Sequence, residues 1–267
     1  MATIDDKTIV QNYFNAEGFD RWRRIYGGGE VNKVQLDIRE GHQQTVDTVL
    51  GWFRADNNLE GRTICDAGCG VGSLSIPLAQ MGAKVSGSDI SAKMVGEAED
   101  RAKQALGEAN LPQFSVQDLE QLSGQYDTVV CLDVLIHYPQ EKAAEMIKHL
   151  SSLATNRVIL SFAPKTVAYT LLKKVGDFFP GPSKATRAYL HREQDVVAAL
   201  QAAGWQVERT GMTKTSFYFS RILEAKRLPE GVTAPASTME SQSSATLAWA
   251  IFVLIAGLAA LAFWSAL

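Results

Sequence analysis

Short apolar runs alternate with longer amphipathic stretches along most of the chain. Thr63–Asp66, Lys84–Ser88, Phe114–Val116, Tyr126–Leu132 and Arg157–Phe162 read as strands. Tyr126–Leu132 is apolar enough to be buried on both faces, as in a parallel sheet. Helical patterns fall between these runs, over Ser73–Met81, from Ser91, and over Gln140–Leu153. Strands alternating with helices predict an α/β fold with right-handed crossovers. After a helix near Arg192–Ala203 come two strand-like runs, Trp205–Thr210 and Ser216–Leu223. Their connection, Gly211–Thr215, is too short for a crossover helix. It predicts a hairpin that places one antiparallel strand at the edge of a mostly parallel, seven-stranded sheet.

Other segments flank this pattern. Ile4–Phe14 reads as a short amphipathic helix, followed by a basic and aromatic stretch, Phe19–Tyr26, and a break at Gly27–Gly29. A helix is expected over Arg39–Phe53, with Val46, Val49, Leu50 and Phe53 on one face. The excursion 164–192 carries six basic residues, among them Lys173 and Arg187, against Asp177 as its only acid. It fits a solvated helix pair or a lid over an apolar, anionic ligand. Residues 228–246, rich in Ser, Thr, Pro and Ala, read as a flexible linker. In 247–267 only Gly257 and Ser265 fall outside the apolar set, and no charge is present. As a helix this stretch would span ~31 Å, so a C-terminal transmembrane helix is expected. Lys226 and Arg227 precede it, which favours a membrane-anchored protein with its catalytic domain in the cytoplasm.

Composition adds mainly exclusions. A formal charge of −3 on 267 residues leaves no electrostatic footprint for nucleic acid. Cys65, Cys69 and Cys131 cannot build a disulfide framework, and they lack the paired spacing of a zinc site, so no metal site is expected. The opening MATIDDKTIV has two aspartates and no apolar run, unlike a signal or transit peptide.

The chemistry concentrates where strands give way to helices. Asp66-Ala-Gly68-Cys69-Gly70-Val-Gly72 joins a strand to a helix, and its glycines allow a tight turn and close approach of a ligand. Position 73 is serine, which breaks the nicotinamide fingerprint. Asp66 suits an ammonium group better than a pyrophosphate. Asp89 ends the second strand, where a carboxylate grips the two ribose hydroxyls. Asp118 follows the third strand and suits an adenine amine. Ammonium, ribose and adenine together describe S-adenosylmethionine. The expected set for that ligand is Asp66, Gly68, Cys69, Gly70, Gly72, Asp89, Ile90, Asp118, Leu119 and Leu132.

These features form the pattern of class I methyltransferases, with a Rossmann-like sheet. Two regions narrow the likeness. One is N-terminal, with Asn12–Asn15, Gly18–Gly27, 29–38 and Gly41–Val46. The other is Asp133-Val-Leu-Ile-His137-Tyr-Pro139. Over residues 8–227 the chain resembles the magnesium-protoporphyrin IX O-methyltransferases of chlorophyll synthesis. The apolar tail departs from that family.

The resemblance implies methyl transfer from S-adenosylmethionine to a propionate of magnesium protoporphyrin IX, with magnesium belonging only to the substrate. It implies Tyr26 and His137 as catalytic residues. It also implies an arm over 1–38 capping a methyltransferase domain over 39–227. The setting it suggests is a photosynthetic bacterium, at a cyanobacterial thylakoid or plasma membrane. The porphyrin-carrying subunit of magnesium chelatase is a candidate partner. His42, His149 and His191 read as structural or exposed. Arg21, Arg23 and Arg24 fit a solvated face, a second propionate or lipid headgroups alike. A methyltransferase of another small molecule such as a quinone, and a non-catalytic binder of porphyrin and S-adenosylmethionine, remain alternatives.

Overall fold

The computed structural model describes residues 6–56, 58–166, 169–170 and 188–228. The chain divides into two compact units: Met1–Pro164 with Ala185–Ala234, and Lys165–Lys184 with Pro235–Leu267. All elements named below belong to the first. Most of the excursion 164–192, nearly all of the linker 228–246 and the whole of 247–267 lie outside the described residues.

Seven strands form one sheet: β1 (Thr63–Ala67), β2 (Lys84–Asp89), β3 (Gln113–Val116), β4 (Tyr126–Cys131), β5 (Ala154–Phe162), β6 (Trp205–Lys214) and β7 (Phe219–Arg227). Their order is β3-β2-β1-β4-β5-β7-β6. The first five run parallel. The expected hairpin is present, but β7 is the strand antiparallel to its neighbours, and it sits inside the sheet, between β5 and β6. The antiparallel strand is therefore not at the edge. Burial explains the order. Ile222, Leu223, Glu224 and Ala225 of β7 are all buried, while β6 alternates with exposed positions and tolerates an edge.

The helices are α1 (Asp6–Asn15), α2 (Glu17–Ile25), α3 (Lys33–Ala55), α4 (Ser75–Gln80), α5 (Ala92–Leu106), α6 (Gln140–Leu153) and α7 (Glu193–Ala202). The basic-aromatic stretch is helical as α2. The third helix starts six residues before the expected Arg39, at Lys33, because Asn32 and Gln35 cap it reciprocally.

The two faces of the sheet follow the two-residue period of its strands. Cys65, Val129, Cys131, Val158 and Leu160 face one way, into a core closed by α6 and α7. Ile64, Val130, Ile159 and Ile222 face the other, onto α3 and α4.

The expected transmembrane helix is not borne out: the stretch that carried it, 247–267, lies outside the described residues. Among the described residues no helix is long and apolar enough to cross a membrane. The longest, α3 at 23 residues, is amphipathic and carries Lys33, Asp37, Arg39, Glu40, Asp47 and Arg54. The fold class that the described residues show is the seven-stranded α/β domain.

Candidate active site

A cavity opens at the carboxyl ends of β1–β4, the place where open α/β sheets bind ligands. Its floor is the loop after β1. Gly68 and Cys69 both donate their N–H to the Ser88 carbonyl, at 2.8 and 2.9 Å. Gly68 lies at φ +85°, and a Cβ there would stand 2.2 Å from Val134 Cγ2. Only glycine fits, so bare backbone faces the cavity.

Asp89, at the end of β2, accepts from the Ser91 N–H at 2.8 Å and the Gly70 N–H at 3.1 Å, one on each oxygen. Each oxygen keeps a lone pair for a further donor. Burial pushes its carboxyl above the usual range, partly offset by those backbone bonds. Ile90, Leu119 and Leu132 supply the apolar walls.

Asp118 is more occupied than the sequence suggested. It accepts from Lys7 Nζ of α1 at 2.5 Å and from the Glu120 N–H at 3.0 Å. Lys7 also reaches Glu120 at 3.1 Å.

Asp66 and Gly72 do not line the cavity. Asp66 is buried beneath the loop, where Ser75 Oγ donates to it at 2.5 Å, and burial raises its pKa to about 6. Gly72 is the turn residue that leads the loop toward α4.

The N-terminal arm roofs the site with Lys7, Val10 and Phe14 of α1 and with Tyr26 just after α2. Several bonds hold it down. Ser91 Oγ pairs with the Phe14 carbonyl at 3.1 Å, and Arg101 donates to the Tyr26 carbonyl at 2.8 Å. Arg39 donates to the carbonyls of Arg24, Ile25 and Gly29. Trp22 stacks 5.3 Å from Tyr26, and Phe14 meets the His137 ring edge-on at 5.8 Å. Arg23 and Arg24 are exposed, whereas Nε and Nη1 of Arg21 are buried without a hydrogen-bond partner.

His137 ends a 3₁₀ turn, Leu135–His137, after β4. Burial lowers its pKa to about 4, against an upward pull from Asp133. The ring is therefore neutral at neutral pH, and its Nδ1 is buried with no hydrogen-bond partner. Tyr26 keeps its proton too, because burial and then Asp133 push its pKa well above 10. His191, by contrast, is fully buried and satisfied, with Nε2 at 2.8 Å from the Leu135 carbonyl.

Sequence reasoning missed a polar cluster behind the site. Asp133 Oδ2 lies 2.9 Å from His42 Nδ1 and accepts from the Tyr218 hydroxyl at 2.7 Å. Its Oδ1 accepts from Ser161 and Ser220 hydroxyls at 3.0 and 3.2 Å. Burial pushes the Asp133 carboxyl up, but bonds from His42, Tyr218 and Ser161 outweigh it and hold the pKa below the usual value. Both His42 and Asp133 line the cavity, and of the two readings of His42 as structural or exposed the second does not hold. Each stood inside a stretch that carried the family likeness. Tyr218 gave no signal. Its ring reaches the cluster because Gly41 has no side chain: a Cβ there would meet Tyr218 Cδ1 at 2.4 Å.

Comparison with known proteins adds identity to this geometry. Residues 64–156 match a methyltransferase domain family, and residues 131–227 match the family described as magnesium-protoporphyrin IX methyltransferase C-terminus. The chain is 66% identical over 226 residues to magnesium-protoporphyrin O-methyltransferase of Synechocystis sp., covering 85% of this chain and 98% of that one. It is 62% identical over 221 residues to the chloroplastic magnesium protoporphyrin IX methyltransferase of Arabidopsis thaliana, covering 82% and 71%. The crystal structure of the Synechocystis enzyme with bound SAH superposes with a TM-score of 0.79 at 64% identity, over 83% of this chain and 100% of that one. A relative 66% identical and covered over 98% of its length shows that the chain belongs to the magnesium-protoporphyrin IX methyltransferase family.

Proposed function

We propose that this protein transfers a methyl group from S-adenosylmethionine to one propionate carboxylate of magnesium protoporphyrin IX, giving the monomethyl ester in chlorophyll synthesis. The observation that carries the assignment of roles is a single cavity with two unlike walls. One wall has Asp89 and the bare backbone of Gly68–Gly70, and the other has a neutral His137 with an unpartnered nitrogen and the protonated Tyr26.

S-adenosylmethionine supplies a methyl group bonded to a sulfonium sulfur. Asp89 accepts from the ribose hydroxyls through its spare lone pairs. Ile90, Leu119 and Leu132 sandwich the adenine, and Asp118 borders it, with Lys7 holding one carboxylate oxygen. Asp66 acts through the loop, fixing its course via Ser75. The acceptor propionate is ionised at neutral pH, so the reaction requires no base. His137 and Tyr26 each donate a hydrogen bond to the carboxylate oxygen that does not attack. The other oxygen is thereby aimed at the methyl carbon, and alignment of this kind is worth ~10²-fold in rate. The arm excludes water, which would otherwise solvate the carboxylate and blunt its attack.

The porphyrin-carrying subunit of magnesium chelatase is the partner we propose for substrate delivery, since magnesium insertion must precede this step. The test of the whole reading is incubation of the purified chain with S-adenosylmethionine and magnesium protoporphyrin IX. Mass spectrometry should find a product heavier by one methylene. Binding of both ligands with no such product would overturn the reading.

A further inference from the structure

The phenol of Tyr26 must point at its target from an arm that cannot aim it alone. Tyr26 follows the last turn of α2 and precedes Gly27-Gly-Gly29, which Arg39 ties down at the Gly29 carbonyl. Arg101 fixes its backbone carbonyl, but a bond to the carbonyl does not set the ring about its side-chain bonds. Among the described residues, two aromatic rings touch it. Trp22 belongs to the same arm and would move with it. His42 does not. Its ring lies 4.3 Å from the Tyr26 ring at an interplanar angle of 41°.

His42 is rooted on both sides. It stands on α3, whose Thr45, Val46, Val49, Leu50 and Phe53 are buried in the core. Its Nδ1 is 2.9 Å from Asp133, which four side chains hold in place. Asp133 itself sits at φ +58°, a left-handed conformation costly for a non-glycine residue and sustained here by those bonds. It also opens the segment that carries His137. One carboxylate thus links the plate beneath Tyr26 to the turn that presents His137.

We infer that His42, anchored by Asp133, is a positioning residue: it holds the Tyr26 ring so that the hydroxyl meets the acceptor carboxylate in register with His137. This rests on the proposed methyl transfer. His42 touches no reacting atom in this account and acts only through Tyr26.

That dependence gives a double-mutant cycle. His42→Asn keeps a donor where Nδ1 was and removes the plate. It should lower kcat about tenfold or more with little change in KM for either substrate. Tyr26→Phe should lower kcat by a similar factor. In the Tyr26→Phe background, His42→Asn should cost less than about twofold more, because no hydroxyl remains to be aimed. If the two losses multiply, or if His42→Asn raises KM at unchanged kcat, His42 acts directly and the inference is overturned. Should His42→Asn not fold, His42→Gln enters the same cycle under the same criteria. A wild-type chain that forms no ester overturns the proposed reaction and this inference with it, whereas multiplying losses in an active enzyme overturn the inference alone.

Discussion

At the scale of single residues, the proposed roles separate groups that bind from groups that aim. In that proposal Asp89 binds: two charge-assisted bonds to ribose would be worth ~1.5–3 kcal/mol each. Asp89→Ala should weaken S-adenosylmethionine at least about tenfold and leave porphyrin affinity nearly unchanged. Titration calorimetry with each ligand decides it, and equal cofactor affinity would remove Asp89 from the site. His137 aims. Its pKa of about 4 leaves it neutral across the working range, so wild-type turnover should show no histidine limb between pH 6 and 8. His137→Ala should lose ~10²-fold in turnover, and His137→Gln, which keeps a donor, should recover part of that loss. A rate that rises through a pKa near 6.5, with glutamine as inactive as alanine, would make His137 a base instead.

At the scale of elements, β7 carries a charge into the middle of the sheet. Glu224 is fully buried and is matched by two guanidiniums, Arg157 at 3.0 Å and Arg209 at 2.8 Å. Asp56, at the end of α3, closes the cluster onto both arginines. Arg157 also lies over the Phe53 ring at 4.2 Å. Removing the carboxylate leaves Arg157 buried and short of charge, so Glu224→Ala should cost about 3 kcal/mol in urea unfolding. The ester-forming site is remote from this end of the sheet by chain topology, so kcat of the folded fraction should stay near wild type. The arm differs in kind. It is tied to the domain by polar bonds such as Lys7–Asp118, with Lys7 about a third exposed, and each is individually weak. Lys7→Ala should speed hydrogen exchange in α1 without lowering the midpoint of global unfolding measurably.

At the scale of the whole molecule, the folded state keeps His137 from its proton, and the unfolded chain does not. As pH falls from 6.5 toward 4 the unfolded state takes up that proton first, so folding stability is lost through this window. Asp66 works the other way: with a folded pKa raised to about 6, it favours the folded state as pH drops below that value. Comparing wild type with His137→Gln isolates the histidine. The variant should lose about 2 kcal/mol less than wild type between pH 7 and pH 4.5. Urea titrations at the two pH values measure it, and parallel losses would mean that His137 is protonated in the folded state.

Five parallel strands, their helices and the closing hairpin were legible in the chain, because strand and helix periods are local properties of side-chain order. So were the glycine loop and Asp89, since a ligand bound at strand ends needs its partners at those sequence positions. The place of β7 inside the sheet was not. It depends on burying Ile222, Leu223 and Ala225 with Glu224 paired to arginines from β5 and β6, a pairing formed only when distant strands meet. Nor was the partnership of His42, Asp133 and Tyr218, separated by 91 and 85 residues in the chain. Each is an ordinary polar residue in its own neighbourhood. Packing α3 across the carboxyl end of β4, with Gly41 making room for a tyrosine from β7's approach, brings them behind the catalytic wall. Local order thus determined which ligand the loop and its acids suit, and long-range packing decided what stands behind His137 and Tyr26.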